Sequence, residues 1–313
     1  MGNKMNGRIL KKLYMPISIL LVISIIIVCI VGQKKQSKEA AKYTELAKKN
    51  TKVEAEKSAA GKSAQDNKIA ETTKPQEKKE EKPKYEGPLK YNDRSIPILM
   101  YHSAQYVETD PNNELRVPKE KFREQMKFLK DKGYSTLTME ELYEFFKNNK
   151  PVPEKSVVIT FDDGYADNYY NALPVIKEFG LKATVFVVTD WVDKDGYYMN
   201  TTQLKEMEAN GFEVQSHTLT HKELDKLTYE QQLKALRESK EFLEKKLNKK
   251  VTTICYPFGK YNENTTKAAE EAGYLMGMKM TGGIANKNDG MLTLNRIYIK
   301  ASDTIELFQA KIK

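Results

Sequence analysis

Histidine is scarce in this chain, with only His102, His217 and His221 among 313 residues. Cysteine is scarcer still. Cys29 and Cys255 are the only two, and Cys29 lies inside an uncharged apolar run, so no intramolecular disulfide is expected. There is one tryptophan, Trp191. A basic excess is also missing from most of the chain, despite a net charge of +9. Residues 1–84 hold 19 Lys+Arg against 9 Asp+Glu, which leaves 33 against 34 for residues 85–313. The second segment is near neutral, which argues against a nucleic-acid partner, because tracking phosphates requires clustered Lys and Arg.

Large apolar residues are almost absent from residues 33–91, where Lys, Glu, Ala and Ser dominate and "KPQEKKEEKPK" stands near the end. Such a segment buries too little surface to offset its ordering entropy. It reads as a charged, disordered linker, of which roughly 55 residues would span about 40 Å as a coil. Before it, "LYMPISILLVISIIIVCIVG" at residues 13–32 carries no charge and has about the 20 residues a helix needs to cross a bilayer. A cleavable signal peptide is the alternative, but no small-residue cleavage site follows. The expected organisation is a cytoplasmic tail at 1–12, a transmembrane anchor at 13–32, the linker, and a domain at 92–313 outside a cell membrane.

That domain alternates apolar runs with helical patterns. "IPILMYH", "SVVITF", "KATVFVVT", "FEVQSH", "VTTIC", "YLMGMK" and "LTLNRIYI" read as strands, with helix signatures between them. "TMEELYEFFKNN" opens on a capping box, Thr138 to Glu141. Repeated strand–helix units imply parallel pairing, and about seven of them predict a closed or nearly closed barrel, with an open doubly wound sheet as the alternative. Functional residues should then collect at the carboxyl ends of strands.

They do collect there. Asp162 and Asp163 follow "VVITF", His217 and His221 follow "FEVQS", "YPFG" follows "TTIC", and Tyr101–His102 follows "IPILM". All three histidines belong to this set. Two adjacent aspartates repel each other, and a strand end needs neither, so a positive charge is expected beside them. One Asp with two His suits a divalent metal and leaves positions open for water and substrate. In "HTLTH" the i, i+4 spacing would bring both imidazoles to one side of a helical turn. One aspartate would hold the ion while its neighbour takes a proton from the attacking water.

"TFDDG" followed by "SHTLTH" over about residues 95–300 resembles the polysaccharide deacetylases, the NodB-homology domains of carbohydrate esterase family four. The resemblance implies a distorted (β/α) barrel that removes acetyl groups from polysaccharides with a divalent metal, Zn2+ above all, with Co2+, Ni2+ or Mn2+ as alternatives. It assigns Asp162 as base, Asp163, His217 and His221 as metal ligands, and the backbone N–H of Phe258 in "CYPFG" as oxyanion donor. Two departures stand out. Cys255 occupies the position of the family's base-orienting arginine, so that role is vacant or filled from elsewhere; Arg296 in "LNRIYI" is the candidate, with a surface or strand-end arginine as the alternative. No histidine follows His221 to act as the family's late acid. "ILMYHS" is similar to the start of the poly-N-acetylglucosamine deacetylase branch, which places His102 in that role.

Tyr165, Tyr256 and Trp191 could line a sugar cleft or pack in the core, and Asp167 could orient a ligand or cap the following helix. The expected activity is an N-deacetylase of poly-N-acetylglucosamine. Peptidoglycan as substrate, or a catalytically weak carbohydrate-binding surface protein, are the alternatives.

Overall fold

A computed structural model describes residues 85–313, except 106, 107, 109 and 281. The cytoplasmic tail, the anchor at 13–32 and most of the linker lie outside the described residues. Among the described residues no helix is long and apolar enough to cross a membrane.

Seven parallel strands make the frame, numbered here in chain order: β2 (Ile98–Tyr101), β5 (Ser156–Phe161), β6 (Ala183–Val187), β7 (Phe212–Ser216), β8 (Thr253–Cys255), β9 (Met276–Met278) and β10 (Ile297–Tyr298). Their spatial order is β10-β2-β5-β6-β7-β8-β9, and every neighbouring pair is parallel. A short strand, β3 (Ser135–Thr136), adds to the start of β5. The sheet curls into a distorted (β/α) half-barrel. Leu294 bridges Met278 in parallel while Ile297 pairs with Leu99, so the run 294–298 spans the gap between β9 and β2.

Strand periodicity sorts the core into two layers. Val157, Ile159, Phe161, Val185, Val214 and Ile254 pack outward against the helices. Ile98, Val158, Phe186, Cys255, Met278 and Leu294 pack on the concave side. The helices are α1 (Lys119–Asp131), α2 (Met139–Asn148), α3 (Leu173–Phe179), α4 (Thr201–Ala209), α5 (Tyr229–Leu247), α6 (Glu263–Glu271) and α7 (Ile305–Lys311). Capping boxes start α2 at Thr138, α4 at Asn200, α5 at Thr228 and α6 at Asn262. The helical stretch after β5 begins as a π-helical turn, Asn168–Ala172, leading into α3. Pro174 near the start of α3 has no N–H to donate, so the ladder is opened there.

Leu89–Lys90 (β1) pairs antiparallel with Val152–Pro153 (β4), and the Tyr85 hydroxyl donates to Glu141 at 2.8 Å. The linker assigned to residues 33–91 therefore overlaps the folded unit at its end. Pairing with a distant strand supplies the burial that its composition alone does not.

Candidate active site

Inward-facing parity carries four side chains past the ends of their strands to one place: His102 after β2, Asp162 after β5, His217 after β7 and Cys255 at the end of β8. Arg296, two residues after the inward Leu294, joins them. Its Nη1 and Nη2 donate to Asp162 Oδ1 and Oδ2, each at 2.7 Å, a bidentate pair of the kind guanidinium geometry favours. Nη1 also donates to Thr160 Oγ1 at 3.1 Å, Nε to the Lys279 carbonyl at 2.9 Å, and Nη2 lies 3.0 Å from Cys255 Sγ. Burial disfavours both charges. Their attraction outweighs it, so Asp162 is held below the usual carboxylate range and Arg296 above its ordinary value.

Asp163 does not continue the strand. Its φ of 73° turns the chain out of the β5 pleat and aims the carboxylate away from its neighbour's partner. His217 Nε2 and His221 Nε2 stand 3.4 and 3.2 Å from Asp163 Oδ1, yet that buried oxygen has no hydrogen-bond partner. The Nδ1 of His217 is engaged by the Cys255 carbonyl at 2.8 Å, which leaves Nε2 facing the carboxylate. Two imidazole nitrogens and an orphaned buried carboxylate oxygen, gathered within coordination range, fit a divalent metal. The helical turn expected for "HTLTH" is absent. Thr218 at φ 71° and His221 at φ 58° fold the segment into a loop, and it is these left-handed residues that make the imidazoles converge.

His102 lies opposite, with Nε2 at 3.9 Å from Asp162 Oδ2 and Nδ1 buried without a partner. Burial lowers its pKa against the pull of the two aspartates.

The sequence profile described as "Polysaccharide deacetylase" matches residues 149–277. YxkH of Bacillus subtilis (strain 168) is 41% identical over 218 residues, spanning 70% of this chain and 76% of that protein. The chain belongs to the polysaccharide deacetylase family. Its members are hydrolases of carbon–nitrogen bonds other than peptide bonds. The poly-beta-1,6-N-acetyl-D-glucosamine N-deacetylase of Staphylococcus aureus (strain MRSA252) is 28% identical over 235 residues, covering 67% of this chain and 81% of the relative. The structure of the Streptococcus pyogenes deacetylase PplD in complex with acetate superposes with a TM-score of 0.67 at 34% identity, over 70% of this chain and 99% of that one.

Cys255 stands where the resemblance led to an arginine being expected, and Arg296 reaches the Asp162 carboxylate from the closing strand instead. Phe258 follows β8 at φ 58° with its ring 4.6 Å from that of His221. Trp191 tilts against the same imidazole at 5.2 Å and stacks on Tyr198 at 4.4 Å. Tyr165 stacks on Tyr198 in turn, at 5.3 Å, and its phenol pKa is pushed up by burial and then by the charge of Asp163. A cavity of about 390 Å³ adjoins this row, lined by Asp190, Trp191, Lys194, Asp195, Tyr198 and Thr220. Tyr198 was not legible as a site residue, although two adjacent tyrosines following an Asp-Gly turn in "DGYY" were a signal.

Two residues that the sequence left open take places away from the triad. Tyr256 does not face the site: it is buried, its hydroxyl donates to the Leu292 carbonyl at 2.9 Å, and it stacks on Tyr261, because it is the outward residue next to the inward Cys255. Asp167 neither caps a helix nor reaches the metal triad. Its carboxylate accepts from Ser103 Oγ at 3.0 Å and from the Ala104 N–H at 2.6 Å, and burial pushes its pKa up to about 6.

Proposed function

We propose that this protein removes N-acetyl groups from an extracellular or cell-wall polysaccharide, poly-N-acetylglucosamine first, while anchored to the cell membrane through residues 13–32 with its domain extracytoplasmic. The observation that carries the reading is the division of labour between adjacent aspartates: Arg296 holds Asp162 as an anion, and Asp163 turns to two imidazoles. A divalent ion held by Asp163, His217 and His221, Zn2+ before Co2+, Ni2+ or Mn2+, would polarise the acetamide carbonyl and acidify the attacking water. Asp162 accepts the proton that this water loses as its oxygen bonds to the carbonyl carbon. The Phe258 N–H donates to the oxygen that gains charge. When the carbon–nitrogen bond breaks, the electron pair stays on nitrogen, which takes a proton from His102. Acetate and a free amine leave.

Poly-N-acetylglucosamine is preferred to peptidoglycan because the "MYH" segment supplies His102 from β2, and because one relative acts, by its name, on that polymer. An unfilled arginine role at Cys255 would favour a catalytically weak binding protein, and the Arg296 guanidinium on Asp162 supports the enzymatic reading instead. Acetate release from poly-N-acetylglucosamine oligomers and from purified peptidoglycan, each with wild type and Asp162→Asn, is the test. Release from the first polymer that disappears in the variant is expected. Release from peptidoglycan alone, or from neither with metal-loaded folded protein, would overturn the substrate or the reaction.

A further inference from the structure

We propose that Asp167 and Asn168 are positioning residues for His102, a two-residue clamp that sets where the imidazole stands by gripping the main chain at and after it. Asn168 Nδ2 donates to the His102 carbonyl at 2.9 Å. Asp167 Oδ1 accepts from the Ala104 N–H at 2.6 Å, and Oδ2 accepts from Ser103 Oγ at 3.0 Å. A bond of 3.2 Å from Asn168 Nδ2 to Asp167 Oδ1 joins the two halves. Three consecutive residues of the loop after β2 are thus held by two consecutive residues after β5, and Asp167 and Asn168 are 7% and 0% exposed.

The imidazole has no comparable restraint of its own. Its Nδ1 is buried without a hydrogen-bond partner among the described residues, its Nε2 stands 3.9 Å from Asp162, beyond hydrogen-bond length, and its ring contact with Tyr298 is loose, 6.2 Å between centroids. The position of the ring therefore follows from the backbone that carries it, which the clamp holds from one side while Ser103 N–H donates to the Leu115 carbonyl at 3.1 Å and Val117 N–H to the Ser103 carbonyl at 3.0 Å on the other. Burial raises the Asp167 carboxyl to about 6, so this grip has a cost that packing alone would not impose. A proton donor displaced by about 1 Å loses on the order of 10²-fold in rate, which makes the clamp a determinant of turnover rather than of binding.

The inference rests on the reading of His102 as proton donor, and two substrates separate the two. An N-acetylglucosamine oligomer needs its amine protonated to leave, whereas the phenolate of 4-nitrophenyl acetate departs unprotonated. In the full-length, metal-loaded protein, Asn168→Ala and Asp167→Ala are expected to lower kcat on the oligomer by at least about tenfold with KM little changed, and ester hydrolysis by no more than about twofold. Asp167→Asn keeps an acceptor for Ala104 and a donor for Ser103, so most of the amide rate returns. Parallel loss on amide and ester, or an unchanged amide rate, in Asn168→Ala would overturn the clamp. That variant removes the His102 bond and leaves the Asp167 carboxylate in place, so it decides the matter even if Asp167→Ala fails a thermal melt. His102→Ala runs alongside. If its loss is not confined to the amide, the donor reading fails; if it is confined there and the Asn168→Ala loss is not, the clamp alone fails.

Discussion

Asp162 and Asp163 are neighbours in the chain with opposite surroundings, and removing the partner of either should show it. Arg296→Ala would leave the Asp162 carboxylate buried and unpaired, a cost of about 3–5 kcal/mol. Arg296→Lys restores the charge but not the two parallel bonds, so it should recover more stability than activity, checked by urea unfolding beside acetate release. Asp167 offers a pH test of opposite sign. Its folded pKa is raised, so its contribution to stability is fully present below the unfolded carboxylate value and lost as pH rises through about 6. Up to about 3 kcal/mol is at stake. Urea unfolding at pH 4.5 and 7.5 should show wild type losing stability relative to Asp167→Asn between the two; an equal change in both proteins would contradict the raised value. Asp167 also marks a limit of reading from sequence. An aspartate at the head of a helical pattern looks like a cap, and nothing local reveals that its partners are Ser103 and Ala104 on another strand end.

At the scale of elements, strand alternation was readable, and with it the side of each strand that carries the chemistry. The strand-end loops were not. The candidate metal triad depends on left-handed backbone at Asp163, Thr218 and His221, residue types for which helical spacing or strand alternation is the ordinary expectation. Such angles persist only where the surrounding structure imposes them. The loop after β8 shows the same dependence at Gly259, with φ at 66°; a Cβ there would stand 2.6 Å from Met280 Cβ and 2.7 Å from its backbone nitrogen. Gly259→Ala should cost at least about 2 kcal/mol and displace the Phe258 N–H. A thermal melt lowered together with kcat would agree with this, and an unchanged kcat would not.

For the whole molecule, the ligand triad links chemistry to stability. An ion present at about 1,000 times its Kd would stabilise the fold by about 4 kcal/mol, or on the order of 10 °C for a domain of this size. Removing it with a chelator should lower the melting temperature of wild type and of Asp162→Asn, but not of Asp163→Ala; an equal drop in all three would place the metal elsewhere. The sequence by itself determined the succession of strands and helices, because burial of alternating or helically spaced apolar residues is a local demand. It also determined which aspartates and histidines stand at strand ends, and that the charge excess belongs to the first 84 residues. Only the tertiary structure decided that Arg296, 134 positions from Asp162, supplies the guanidinium missing at Cys255, that Tyr256 faces away, and that Asp167 and Asn168 hold the His102 loop. The physical reason is the same in each case. Which side chains meet depends on sheet order, on inward or outward parity, and on the closure of β10 against β2, and none of these is a property of a residue and its neighbours in the chain.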